Sequence, residues 1–204
     1  MTPKSFREAA GVSREILSRF ETFAELLGRW NRRVNLVGAA TLDDPWRRHF
    51  LDSTQLFALI PDQCARLVDL GAGAGFPGLV LAIMGAPGVE LIEANARKCA
   101  FLREVARATA TEVTVTQGRI KNIEARPADV VTARACAPLG KLLGYVDRFL
   151  AADGTALLLK GARVDEELTQ AGKSWTMEVN RRPSLSDPAG AVLEITNLRP
   201  IDVG

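Results

Sequence analysis

The stretch from Val68 to Gly78, Val-Asp-Leu-Gly-Ala-Gly-Ala-Gly-Phe-Pro-Gly, constrains this chain more than any other, because an apolar strand there runs straight into a glycine-rich turn and then a helix. Arg66, Leu67, Val68 and Leu70 read as a buried strand, and Gly71, Gly73 and Gly75 let backbone approach a ligand closely. Pro77 suits a first helical turn, whose free N–H groups would face an anionic group. From Gly73, Gly75 and Gly78 complete G-x-G-x-x-G, and Glu93 ends the next apolar segment twenty positions on. That spacing serves a nicotinamide site and an S-adenosylmethionine site alike, and a plain glycine turn would show the same residues.

Asp69 discriminates between the two ligands. An acid two residues before the first glycine can hold the ammonium of a methionine moiety, whereas a dinucleotide presents no cation there, so D-x-G-x-G favours S-adenosylmethionine. Glu93 fits either ligand, since a strand-end carboxylate accepts two ribose hydroxyls.

The 204 residues suffice for one good core with an appendage. A net charge of +2 means that any nucleic-acid surface must gather its charge locally. The N-terminus lacks an apolar signal core and no run is long enough for a membrane span, so a soluble cytoplasmic protein without membrane contact is expected. Cys64, Cys99 and Cys136 are widely spaced, which suggests neither a disulfide framework nor a metal site.

Residues 1–60 read as a helical region packed on the core: Ile16, Phe20, Phe23, Leu27 and Trp30 form one stripe after a Ser13 cap. Asp44-Pro45 caps a second helix with Trp46, Phe50 and Phe57 on one face. Over 61–204, strands are expected near 66–70, 89–93, 112–116, 128–133 and 154–160, with helices near 76–85, 95–108, 138–151 and 163–172. Segments near 175–181 and 191–197 suit a closing antiparallel hairpin. This α/β pattern is a Rossmann-like parallel sheet, the plan of class I S-adenosylmethionine-dependent methyltransferases; a dehydrogenase normally needs a further catalytic domain.

Several motifs are much more specific: Trp30-Asn31 with Asn35-Leu36-Val37, Arg48-His49-Phe50-Leu51-Asp52-Ser53, the glycine loop running into Phe76-Pro77-Gly78-Leu79, Arg97-Lys98, Gly118-Arg119, Ala133-Arg134-Ala135 and Leu159-Lys160-Gly161. In this order they resemble the bacterial ribosomal RNA small-subunit methyltransferase G family (RsmG or GidB) over nearly the whole chain. The resemblance implies methyl transfer from S-adenosylmethionine to guanine N7 in 16S ribosomal RNA, at guanosine 527 of the decoding-region loop, on free RNA or a small-subunit particle. It implies that Gly71 and Phe76 contact the cofactor, that Arg134 closes the site, and that Ile120 and Lys121 flank the adenine. The family commonly has glutamate where Lys121 stands, and an ammonium cannot accept an adenine amino proton as a carboxylate can, which leaves backbone contacts there.

Guanine N7 carries a lone pair and no proton, so its attack on a sulfonium methyl needs no general base, and orientation can supply about 7–11 kcal/mol. No catalytic side chain is therefore assigned. His49, which shares a helix face with Asp52 beside Arg47 and Arg48, reads either as one wall of the substrate site or as a structural histidine. Arg32, Arg33, Arg47 and Arg48 are the expected RNA-phosphate contacts, whereas Trp30 and Trp46 fit core stripes better than base stacking. Cys136 after the fourth strand raises a covalent alternative, though it lacks the Pro-Cys context of such nucleophiles. Two other classes stay open at this point: a non-catalytic module that binds S-adenosylmethionine or RNA, and an NAD-dependent oxidoreductase.

Overall fold

The chain, described over residues 1–38 and 41–201 in a computed structural model, begins with two capped helices. Helix α1, Pro3–Ala10, opens on a reciprocal cap in which Thr2 Oγ1 accepts the Ser5 N–H at 3.2 Å and Ser5 Oγ accepts the Thr2 N–H at 3.0 Å. Helix α2, Arg14–Asn31, starts at the expected Ser13, whose Oγ accepts the Ile16 N–H at 3.1 Å. The Asp44 carboxylate accepts the Arg47 N–H at 3.3 Å, but Trp46–Leu51 winds as a π-helix before α3, Asp52–Thr54. Phe57 falls in a separate 3-10 turn, so the expected single helix is broken, while Trp46 and Phe50 still pack together at 4.9 Å.

Seven strands form one sheet in the order β3-β2-β1-β4-β5-β7-β6. The parallel strands are β1 Leu67–Leu70, β2 Val89–Glu93, β3 Thr114–Gln117, β4 Ala128–Arg134 and β5 Leu150–Lys160. The antiparallel pair, β6 Trp175–Pro183 and β7 Ala191–Pro200, closes one edge as expected. All four residues of β1 are buried, because this central strand is covered on both faces.

Helices α4, Gly78–Ile83, and α5, Ala96–Ala108, share one hydrophobic cluster with the N-terminal helices, where Phe6, Phe20, Phe23 and Phe50 meet Leu79 and Phe101. Helices α6, Leu139–Phe149, and α7, Val164–Ala171, cover the opposite face, with Val68, Leu70, Val131, Leu143 and Leu158 in a second cluster. Burying aromatic side chains at this scale is worth a few kcal/mol each, which is what holds the helical region against the sheet. Both doubtful tryptophans are packing residues: Trp46 lies against Phe6 and Phe50, and Trp30 against Phe101 with its Nε1–H donated to Glu104 at 3.0 Å.

Candidate active site

Strand order turns back on itself at β1, which pairs with β2 on one side and β4 on the other, so a crevice opens beyond their carboxyl ends. The loop after β1 enters it with Gly71, Gly73 and Gly75 at φ of +70°, +55° and +88°, a region costly for residues with a Cβ. At Gly71 space is equally decisive: a Cβ there would lie 2.7 Å from Cys136 Sγ, in the loop after β4.

Glu93, at the end of β2, is held by backbone. One carboxylate oxygen accepts the Gly73 N–H at 2.9 Å and the other the Asn95 N–H at 2.7 Å. Each oxygen retains a lone pair, the acceptor set that two ribose hydroxyls need. The 3-10 turn Ile120–Asn122 stands beside it, because the Gly118 N–H bonds Glu93 O at 2.9 Å. Ile120 packs on the second core and Lys121 is exposed.

Asp69 differs from expectation. It is 0% exposed on the Leu67 side of β1, where one oxygen accepts the Gly78 N–H at 3.0 Å and the other the Thr132 hydroxyl at 2.8 Å. Burial raises its pKa to about 6 against the lowering effect of those two bonds. The carboxylate thus ties the glycine loop and the start of α4 to β4, and none of its surface is exposed. Phe76 is also less open than expected: 3% exposed, its ring stacks on Phe23 at 5.1 Å and on His49 at 4.9 Å, which leaves ligand contact to its backbone.

Arg134, at the end of β4, lies over the Phe76 ring at 5.0 Å, donates to Arg48 O at 3.1 Å and pairs with Asp52 at 3.6 Å. Asp52 also accepts the hydroxyls of Ser184 and Ser186 at 3.1 and 2.6 Å, so one carboxylate joins the helical region, β4 and the loop before β7. Sequence reading placed Asp52 only as a neighbour of His49; its signal was its place in the Arg48–Ser53 motif.

His49 is 5% exposed. Thr41 Oγ1 donates to Gly38 O at 2.6 Å, so it accepts from His49 Nε2–H at 2.9 Å, and Nδ1 is left as a buried acceptor without a partner among the described residues. Burial, then the Arg134 and Arg48 charges, lower its pKa to about 3, so the ring is neutral near pH 7. The four expected phosphate contacts do not gather in one place. Arg48 lines the cleft and pairs with Asp187 at 2.9 Å, Arg47 pairs with Asp44 at 3.4 Å, and Arg32 and Arg33 are exposed at the end of α2. The cleft itself, about 1160 Å³, is bordered by His49, Arg134, Cys136, Lys160 and Ser186 among others. Burial and the Asp69 and Glu93 charges push the Cys136 thiol pKa up, against the needs of a nucleophile. Among the described residues no group of three or more His, Cys, Asp or Glu is placed to hold a metal ion, and no helix is long and apolar enough to cross a membrane.

Sheet order, glycine loop and strand-end carboxylate together define a class I S-adenosylmethionine-dependent methyltransferase. Solved structures share the fold: TYW2 of M. jannaschii in complex with AdoMet has a TM-score of 0.58 at 17% identity, over 83% of this chain and 80% of that one. A TehB-like SAM-dependent methyltransferase of Corynebacterium glutamicum scores 0.59 at 19% identity, over 85% and 98%. Within that class the chain belongs to the GidB family, rRNA small subunit methyltransferase G, whose model matches residues 16–189. Ribosomal RNA small subunit methyltransferase G of Paramagnetospirillum magneticum is 55% identical over 96% of this chain and 95% of the relative. That of Rhodospirillum rubrum is 53% identical over 96% and 97%.

Proposed function

We propose that the protein methylates guanine N7 in 16S ribosomal RNA, at guanosine 527 of the decoding-region loop, in the bacterial cytoplasm. Family membership supports the reaction class, and one observation carries the choice of a ring nitrogen: among the described residues, the titratable groups clustered around Phe76, Arg134 and the start of α4 are poorly placed to take a proton. Burial and the Arg134 and Arg48 charges lower the His49 pKa to about 3, which makes even its unpartnered Nδ1 a weak base, while Asp69 is sequestered and Asp52 is paired. A ring nitrogen with its own lone pair needs no general base, whereas an exocyclic amine or a hydroxyl must lose a proton.

The residues at the ends of β1 and β2 fit S-adenosylmethionine, since each Glu93 oxygen keeps an acceptor lone pair beside a glycine loop whose Gly71 leaves no room for a Cβ. Bound there, the cofactor supplies an electrophilic sulfonium methyl. Glu93 would take the ribose hydroxyls, the Gly71–Gly73 backbone would line the methionine portion, and Ile120 and Lys121 would flank the adenine, the latter through its backbone. Arg134, braced by Asp52, and His49, braced by Phe76, would wall the guanine, while Arg48 and the arginines of region 1–60 would meet phosphate. Positioning and exclusion of water then carry the rate.

The test uses small ribosomal subunits and protein-free 16S RNA from cells lacking the gene, incubated with the protein and cofactor. Chemical cleavage at N7-methylguanosine followed by primer extension should show one new stop, at guanosine 527. Methyl transfer to another atom or nucleotide would overturn the reading, and the two substrates tell whether assembly is required.

A further inference from the structure

Lys160, the last residue of β5, carries an ammonium on a side chain only 8% exposed. A buried charge survives where it is paired and hydrogen-bonded, and an apolar residue would serve plain packing better. Lys160 Nζ contacts Glu167 Oε2 at 2.6 Å and donates to Ala137 O at 3.4 Å. The same Glu167 oxygen accepts the Leu139 N–H at 2.6 Å. Helix α6 has Pro138 at its N-cap position and no side-chain cap of its own, so Glu167 of α7 satisfies one of its free N–H groups from outside.

The segment held in this way is Ala135–Pro138, between β4 and α6. Ala135 sits at φ +49°, a conformation that costs an L residue energy and persists only where its surroundings impose it. The next residue, Cys136, packs against Gly71 closely enough to exclude a Cβ there. This segment and the glycine loop flank the β1–β4 crevice, and both Lys160 and Ala135–Pro138 border the cleft.

We propose that Lys160 is a positioning residue: with Glu167 it clamps the Ala135–Pro138 loop against the glycine loop, fixing the wall across which cofactor and guanine meet. Its catalytic consequence rests on the methyl-transfer reading above; the clamp itself does not. Loss of the ammonium frees Ala137 O and releases Ala135 from its left-handed conformation, so the loop relaxes away from Gly71. A wall displaced by about 1 Å costs up to a hundredfold in rate while the bonds at Glu93 persist.

Iodoacetamide alkylation of the full chain reads the clamp directly, because Cys136 is half-buried and Cys64 and Cys99 are buried elsewhere. In Lys160→Met, alkylation of Cys136 should rise several-fold with Cys64 and Cys99 unchanged. Methyl transfer to small subunits should lose kcat about tenfold or more, with KM and the Kd for S-adenosylhomocysteine nearly constant. Should Lys160→Met fail to fold, Glu167→Gln decides: it keeps an acceptor for the Leu139 N–H, and it should show the same pattern at smaller amplitude. Unchanged Cys136 alkylation, or faster alkylation with kcat intact, overturns the proposal. Wild-type protein that leaves N7 unmodified overturns the functional reading alone, and alkylation still decides the clamp.

Discussion

His49 stacks on Phe76 with ring centroids 4.9 Å apart and planes 24° from parallel. An imidazolium in that place would be a buried cation beside two guanidiniums, those of Arg134 and Arg48, whose carboxylate partners, Asp52 and Asp187, are already engaged by them. Its folded pKa is about 3 against 6.5 unfolded, so the unfolded chain takes the proton first, and stability is lost as pH falls from about 6.5 toward 3. His49→Gln should abolish this slope. Between pH 7.5 and 5.5, urea unfolding should show the stability difference between wild type and variant moving by about 1.4 kcal/mol against wild type. A constant difference would mean that the ring titrates like a solvated histidine.

Asp69 has the opposite slope. Its folded pKa, about 6, exceeds the ordinary 3.8, so the native state holds a proton that the unfolded chain has released, and stability falls as pH rises through that window. Asp69→Asn should remove this dependence while an amide still partners Gly78 N–H and Thr132; Asp69→Ala strands both, at about 1–3 kcal/mol. Calorimetric titration with S-adenosylhomocysteine gives the sharper reading. Affinity should survive in Asp69→Asn, whereas loss of a direct ammonium pair would cost on the order of 2–5 kcal/mol.

Glu93→Ala should weaken S-adenosylhomocysteine by about 1–3 kcal/mol, since it removes a carboxylate from two hydroxyls and strands the Gly73 N–H. An analogue lacking the ribose hydroxyls should bind wild type and variant with nearly equal affinity. If the variant's loss is the same for both ligands, the carboxylate acts on the loop and not on the ribose.

Gly71→Ala meets two obstacles, a φ of +70° and a thiol 2.7 Å from the new methyl. The first costs about 1–2 kcal/mol and the second adds about 1–3 kcal/mol of overpacking. Cys136→Ala relieves only the second, so the double variant should recover part of the lost stability in a thermodynamic cycle. Cys136→Ala alone should retain methyl transfer, because N7 attack needs no enzyme–RNA adduct. Strict additivity in the cycle would mean that the two loops do not touch in solution.

The strands, their parallel run with a closing hairpin and the glycine turn after β1 were legible in the sequence because they depend on local pattern: apolar runs, glycine spacing and Glu93 at a strand end. What stayed hidden depends on contacts far apart in the chain. Asp69 shows its strand position in sequence, but not that Thr132 and Gly78 take both its oxygens. Phe76 sits in a recognisable motif, yet only the packing of α2 against α4 reveals that Phe23 covers its ring. Asp52 and Lys160 are motif residues whose partners, Ser186 and Glu167, lie in segments without any motif.

Arg32, Arg33 and Arg48 separate binding from chemistry. All three are exposed, but only Arg48 borders the cleft, where it also holds Asp187. Reversing Arg32 or Arg33 to Glu removes charge from the end of α2, away from the glycine loop. Each lost phosphate contact should lower the slope of log affinity against log salt by roughly 0.7–0.9 for 16S RNA or small subunits, with kcat at saturation and the Kd for S-adenosylhomocysteine unchanged. Arg48→Glu sets a carboxylate against Asp187, so it should loosen the 184–187 loop and lower kcat as well as the slope. Filter binding across a salt series and single-turnover methylation make the distinction. If the Arg32 and Arg33 variants bind RNA as wild type does while S-adenosylhomocysteine affinity collapses, the helical region is a cover for the cofactor, and phosphate is held elsewhere.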